Sequence, residues 1–99
     1  MLNTLSVATF EPHVGQQFRM QLAAASHVEV TLVEASPLAT DGDARRQRAP
    51  FRLIFRGPAS QVASQAIYSV EHDSLAPMSI FLVPIRADAA GVYYEAIFT

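Results

Sequence analysis

The sequence predicts a small all-β fold, either an antiparallel sandwich or a partly open barrel of about six strands. Six short segments alternate between apolar and polar residues with the period of two that is typical of half-buried strands. Turn-forming Gly, Pro and Asp residues separate them, and no stretch has the 3.6-residue apolar period of an amphipathic helix. Closely spaced strands without intervening helices favour a sandwich or a barrel. The 99 residues suit a single domain, residues 1–99.

The first two strands are predicted at 16–22 and 27–34, joined by small residues as a hairpin. Their core-facing side chains are predicted to be Phe18, Met20, Leu22, Val28, Val30 and Leu32. Ahead of them, residues 2–9 suit either one helical turn or a strand. Pro12 disfavours helix at the residue before it and Gly15 permits a turn, so we predict a loop over 10–15.

Four further strands are predicted at 50–56, 66–71, 78–85 and 92–98. Gly57 and Pro58 end the first of these four, and Gly91 suits the turn before the last. The segment 78–85 is apolar on both faces, which predicts a central strand that is covered on both sides. Pro84 is expected near the end of that strand, where a missing N–H is tolerated.

The longest irregular segment is residues 35–49, which a small domain retains either for function or as a mobile loop. It contains the arginines Arg45, Arg46 and Arg48, which could bind a phosphate, an acidic partner or RNA. Asp41 and Asp43 precede them and partly cancel their charge, so a solvated loop is the alternative.

Two groups of acidic residues and histidines suggest a metal site, formed by Glu11, His13, Glu71, His72 and Asp73. Their spacing fits poorly, since neighbours on a strand point to opposite faces. The alternative is that His13 and His72 hold loops together at one end of the fold. A serine hydrolase is disfavoured, because there is no Gly-x-Ser-x-Gly elbow and adjacent residues 72–74 cannot form a triad among themselves. We predict no catalytic residue, no cofactor and no metal site.

A protein-binding surface is predicted on the polar faces of two strands, from Arg52, Arg56 and Tyr93, with Phe81 as a further candidate. Arginine and aromatic residues are enriched at interface hot spots. Only 16% of residues are charged, which leaves apolar surface for a partner to cover. The competing explanations are core packing for Phe81 and ordinary cross-strand pairing for the others.

Composition narrows the classes of partner. The net charge is −2, which argues against nucleic acid as the main ligand, and the absence of cysteine excludes disulfides and thiolate zinc sites. No signal peptide and no apolar run long enough to span a bilayer is visible, so no membrane is expected. The default compartment is the cytoplasm, with assembly-associated export left open.

Five motifs resemble a bacterial family of about a hundred residues described only as a domain of unknown function. They are FEPHVGQQF at 10–18, PFRLIFRGP at 50–58, YSVEH at 68–72, IFLVPI at 80–85 and YEAIF at 94–98. The resemblance spans nearly the whole chain and carries no catalytic residues. It implies an association with phage-tail-like and tail-collar proteins, and so a structural or accessory role.

These observations together predict a non-enzymatic interaction or structural domain, whose partner is another protein or a second copy. Two alternatives remain at this point. One is a β-barrel that binds a small ligand or carbohydrate through Tyr93, Tyr94 and the Arg45–Arg48 loop. The other is a metal-dependent enzyme that uses His13 and His72.

Overall fold

The computed structural model describes residues 5–23, 26–38 and 50–98, and six antiparallel strands within them form a closed barrel. The strands are β1 Gln17–Ala23, β2 Ser26–Pro37, β3 Phe51–Gly57, β4 Ala66–His72, β5 Leu75–Asp88 and β6 Gly91–Phe98. Their order around the ring is β1-β2-β3-β6-β5-β4. The predicted all-β fold of about six strands is therefore confirmed. The barrel is the form adopted, and it is closed rather than partly open.

Side chains fill the interior of the barrel. The inward positions predicted from the period of two are confirmed, and Phe18, Met20, Leu32 and Phe55 have no solvent exposure. Phe18 meets Phe55 edge to face, with 5.3 Å between the ring centroids. In a ring of six strands, alternate side chains all converge on one axis. The interior is therefore a packed core.

Irregular pairing lengthens two strands beyond their predicted ends. The register of β2 shifts between Leu32 and Glu34, and that of β5 shifts between Pro84 and Arg86. Such a bulge adds one unpaired residue and reverses the alternation beyond it. Pairing with β6 resumes beyond the bulge, so β5 extends past Pro84 to Asp88, and the prediction that Pro84 lies near its end was wrong.

A short helical segment covers one end of the barrel. The helix α1, Val7–Phe10, runs into a 3-10 helix over Glu11–His13, so the loop predicted there is in fact mostly helical. The hydroxyl of Thr9 accepts a hydrogen bond from the Ser6 N–H at 3.1 Å and fixes the first turn. The turn then directs Phe10 into the barrel, where it is fully buried.

The segment 58–65 covers the opposite end and is held from inside the barrel. The hydroxyl of Tyr94 accepts a hydrogen bond from the Ala63 N–H at 2.9 Å and donates one to the Gln61 carbonyl oxygen at 3.5 Å. Tyr94 is only 1% exposed. A buried hydroxyl requires a partner, and here its partners anchor the segment.

The outer face of β5 is open to solvent, which corrects the prediction that segment 78–85 is covered on both sides. Met78, Ile80 and Leu82 point inward and are buried, whereas Phe81 is 50% exposed and Ile85 is 45% exposed. A single barrel has no second layer to cover its outer surface. The apolar outer face of β5 is therefore available for contact.

Candidate functional site

Arg52 lies at the centre of an ionic network on the outer face of the barrel. Its guanidinium Nη2 lies 2.7 Å from Oε2 of Glu34 on β2, and Nη1 lies 3.5 Å from Oε2 of Glu95 on β6. Ser36 donates a further hydrogen bond of 2.6 Å to Glu34. The Ser36 hydroxyl and Arg52 together lower the pKa of Glu34, and Glu34 raises the pKa of Arg52. Arg52 thus joins three strands.

The ring of Tyr93 is covered by another side chain and is not exposed at the surface. Its side chain is 8% exposed, and the guanidinium carbon of Arg86 lies 4.0 Å from the ring centroid. This cation–π contact occupies the ring face that a partner would need. Arg52 and Tyr93 therefore lie on the predicted face, but both already have contacts within the chain.

The remaining predicted residues have different positions. Arg56 lies on the same outer face as Tyr93, with which it pairs across the β3–β6 ladder. Arg45, Arg46 and Arg48 lie outside the described residues, as do Asp41 and Asp43. Tyr94 faces the core, so it cannot bind a ligand at the surface. The assignment of a partner to these residues stays a prediction.

The structure brings His13 and His72 together at the end of the barrel covered by α1. Their ring centroids are 4.6 Å apart. The Gln16 Oε1 atom lies 2.9 Å from His13 Nδ1 and 2.7 Å from His72 Nε2, so one amide links both rings. His72 also packs against Phe18. This trio, His13, Gln16 and His72, is called the histidine latch below.

The hydrogen bonds of the latch fix His72 as a neutral donor. The Ser74 N–H donates to His72 Nδ1 at 3.0 Å, which places the ring proton on Nε2, where it points to the Gln16 oxygen. A metal ion would need the Nε2 lone pair instead. Of the neighbouring carboxylates, Glu71 and Asp73 contact Arg19, at 3.6 and 3.0 Å. Within residues 5–23, 26–38 and 50–98, no three His, Asp or Glu side chains form a metal-binding group.

The histidine latch predicts that the protein loses stability as the pH falls below about 6.5. Burial of the imidazole, followed by the nearby charge of His13, lowers the pKa of His72 from its ordinary 6.5. The unfolded chain therefore binds this proton more readily, so the His72 contribution is complete above 6.5 and decreases at lower pH. We expect the free energy of unfolding, measured by urea titration, to decrease between about pH 7 and about pH 5.

The variant His72→Gln should reduce this pH dependence, because it removes the titrating ring. His27→Gln is the matched control, since His27 is exposed on β2 and takes no part in the latch. If wild type and His72→Gln lost the same stability over this pH range, the latch would not be the cause.

A second exposed surface, called the hairpin surface here, is formed by Ile67, Phe81 and the β5 segment 75–82. Ile67 and Phe81 are cross-strand partners on β4 and β5, and they are 70% and 50% exposed. The β5–β6 ladder begins only at the Val83–Glu95 pair. Segment 75–82 therefore pairs only with β4, within the part of the chain that the structure describes.

Sequence reasoning missed most of the hairpin surface. It treated 78–85 as buried because both of its faces are apolar, and it did not single out Ile67. One signal was available: residues 75–85 contain no charged side chain, which is unusual for a solvent-facing edge. The edge is exposed because the β5–β6 ladder is short. Its length depends on the position of the bulge in β5, which the sequence does not reveal.

The fold and its surfaces define a small, closed, antiparallel β-barrel domain whose ends are covered by its own chain. The chain belongs to the family described as a domain of unknown function (DUF6916), whose model matches residues 5–98. The resemblance drawn from the five motifs is thereby confirmed, while the association with phage-tail-like proteins stays a prediction. Neither a curated protein nor a solved structure matches the chain. No helix among the described residues is long and apolar enough to cross a membrane.

Proposed function

We propose that this protein is a non-enzymatic interaction domain that associates with a second copy of itself through β5. The observation that carries the proposal is the hairpin surface, where an unpaired strand edge adjoins two exposed apolar side chains. An open edge presents a row of backbone donors and acceptors, to which another strand can add. Shorter one-sided edges also occur in the described part of the fold, including 26–30 of β2, 66–69 of β4 and 83–88 of β5, but 75–82 is the longest and adjoins the exposed Ile67–Phe81 pair.

The chemistry of the edge favours a second copy as the occupant. Residues 75–85 carry no charge, so an added strand that is itself apolar makes the most favourable side-chain contacts with this edge. The same segment of another copy is such a strand. In an antiparallel pairing about a two-fold axis near Ser79, the core-facing residues of one copy would lie opposite the core-facing residues of the other. Phe81 would then lie beside Pro77 of the other copy. Such a contact uses the edges of both copies and closes as a dimer.

The packed core supports a role in binding at the surface. Fully buried aromatic and aliphatic side chains occupy the interior, so a ligand inside the barrel would have to displace core residues. The two ends are also covered, by α1 and by segment 58–65. The role in a tail-like assembly that the family resemblance implied would require such surfaces too, and it remains a prediction.

We expect wild-type protein to form a dimer whose mass, measured by light scattering after size-exclusion chromatography, is twice the 10.8 kDa chain mass. An edge of eight residues lies at the small end of specific interfaces, so dissociation on dilution through the micromolar range is expected. Phe81→Lys should give a monomer at every concentration, because its charge would be buried against the second copy.

Val62→Lys is the matched control for this experiment. Val62 is an apolar residue of similar exposure, at 66%, in the 58–65 segment outside the hairpin surface. It should remain a dimer. A wild-type protein that is monomeric throughout, or a Phe81→Lys variant that dimerises like Val62→Lys, would contradict the proposal.

A further inference from the structure

A shallow concavity of about 460 Å³ lies on the outer face of the barrel, away from the hairpin surface. Its polar and charged lining consists of Gln17, His27, Glu29, Thr31 and Arg56. Three of them form one row across three strands, since Gln17 pairs with Thr31 and Thr31 pairs with Arg56. A row of outward side chains on neighbouring strands presents its polar groups to the same small volume.

Arg56 differs from the other described arginines because it has no partner among the described residues. Arg19 contacts Glu71 and Asp73, Arg52 contacts Glu34 and Glu95, and Arg86 covers Tyr93. No ion pair or side-chain hydrogen bond of Arg56 occurs within residues 5–23, 26–38 and 50–98. Its five N–H donors are therefore available to a carboxylate.

The position of Arg56 is restrained by the backbone beneath its side chain. A Cβ atom placed on Gly91 would lie 3.0 Å from Arg56 Cγ, so the stem of the arginine packs closely against the β5–β6 turn. The turn itself is held by a 2.8 Å hydrogen bond from the Ala90 N–H to Asp88. A restrained stem reduces the entropy that a ligand must overcome when it binds the guanidinium.

Glu29 supplies the opposite charge in the same concavity. It lies two residues before Thr31 on β2, so it is the diagonal neighbour of Arg56, at roughly 7–8 Å between such positions. Glu29 and Arg56 form no ion pair with each other, and among the described residues Glu29 has no other ion pair. The concavity therefore offers one cation and one anion, with amide and hydroxyl donors between them.

We infer that this concavity binds a small zwitterion, with its carboxylate at Arg56 and its ammonium group at Glu29, as a free amino acid would present them. Each group of the ligand meets a side chain of opposite charge that forms no ion pair among the described residues. Arg19, which lies opposite Glu29 across the β1–β2 ladder, contacts Glu71 and Asp73 instead. Gln17 and Thr31 supply further hydrogen bonds. The volume lies within the range of small-molecule sites and exceeds that of one amino acid. This binding is independent of the proposed dimer contact.

The test uses three matched probes, L-glutamine, N-acetylglutamine and glutaminamide, titrated into isotope-labelled protein and followed by amide NMR shifts. Glutamine should shift the amides of Thr31, Arg56 and Ala90. Loss of the ammonium group in N-acetylglutamine, or of the carboxylate in glutaminamide, should each weaken binding by about tenfold. Equal binding of all three probes, or no shift with any of them, would overturn the assignment.

Variants assign each end of the ligand. With Arg56→Gln, glutamine and glutaminamide should bind equally weakly, because the group that recognises the carboxylate is gone. With Glu29→Gln, glutamine and N-acetylglutamine should become equivalent. Arg86→Gln is the control, since Arg86 lies outside the concavity, and it should leave glutamine binding unchanged. If Arg56→Gln still distinguished glutamine from glutaminamide, Arg56 would not be the carboxylate site.

Discussion

Gly91→Ala is expected to destabilise the protein by about 3–5 kcal/mol, close to the largest effect of any single substitution. Gly91 has a φ of +151°, a conformation that side chains rarely adopt. A Cβ atom there would also lie 2.1 Å from the Gly57 carbonyl oxygen, well inside van der Waals contact. Because Gly57 is buried backbone in β3, it cannot rotate away as a side-chain tip could.

Gly15→Ala is a matched control for the steric part of this prediction. Gly15 also has a positive φ, +93°, but a Cβ atom there would have no neighbour within 4 Å. Its replacement should cost only about 1 kcal/mol, the backbone term alone. Thermal unfolding measures both, and Gly91→Ala should lower the melting temperature by at least roughly 12 °C. Similar losses for the two variants would show that the Gly91–Gly57 contact is not limiting.

Phe10→Ala should destabilise the protein by about 3–5 kcal/mol, although Phe10 lies outside the sheet. Its ring is fully buried at the covered end of the barrel, with centroids 5.9 Å from Phe51 and 6.1 Å from Phe98. Truncation removes these aromatic contacts and opens that end of the core to water. Urea unfolding followed by circular dichroism gives the free energy directly.

Two control variants distinguish loss of the buried Phe10 ring from loss of an aromatic ring at an exposed position. Phe81→Ala, on the exposed face of β5, should change monomer stability by no more than about 0.5 kcal/mol. Phe10→Leu should recover much of the loss, because an apolar side chain still fills the end. If Phe10→Ala cost no more than Phe81→Ala, α1 would not be part of the cooperative fold.

The period of two was sufficient to predict the sheet. Phe18, Met20, Phe51 and Phe55 all face the core as their alternation indicated, because the pleat determines side-chain direction locally. The pairing of His13 with His72 at one end was also among the possibilities drawn from the sequence, and the structure confirms it. The alternation depends only on the local geometry of each strand. The two histidines were identifiable because each lies beside a recognisable turn.

Long-range pairing accounts for what the sequence could not predict. Arg52 meets Glu34 and Glu95 only because the β2 and β6 registers bring three distant segments together. Bulges shift the β2–β3 register at Val33 and the β5–β6 register at Ile85, and both residues resemble their regular neighbours in the sequence. The sequence left residues 2–9 open between one helical turn and a strand, because one turn is too short to show a helical period.

The most direct test of the central claim uses the absence of cysteine, which makes any introduced thiol unique. Ser79 and Ser69 are exposed cross-strand partners on β5 and β4. In the proposed dimer the two Ser79 positions are about one strand spacing apart, and the two Ser69 positions are about three spacings apart, roughly 14 Å. Only the former distance allows a disulfide.

We therefore expect Ser79→Cys to form a covalent dimer under mild oxidation, measured on a non-reducing gel, while Ser69→Cys remains a monomer. The addition of Phe81→Lys to Ser79→Cys should abolish the covalent dimer. A failure of Ser79→Cys to crosslink, or equal crosslinking of the two cysteine variants, would contradict association through the β5 edge.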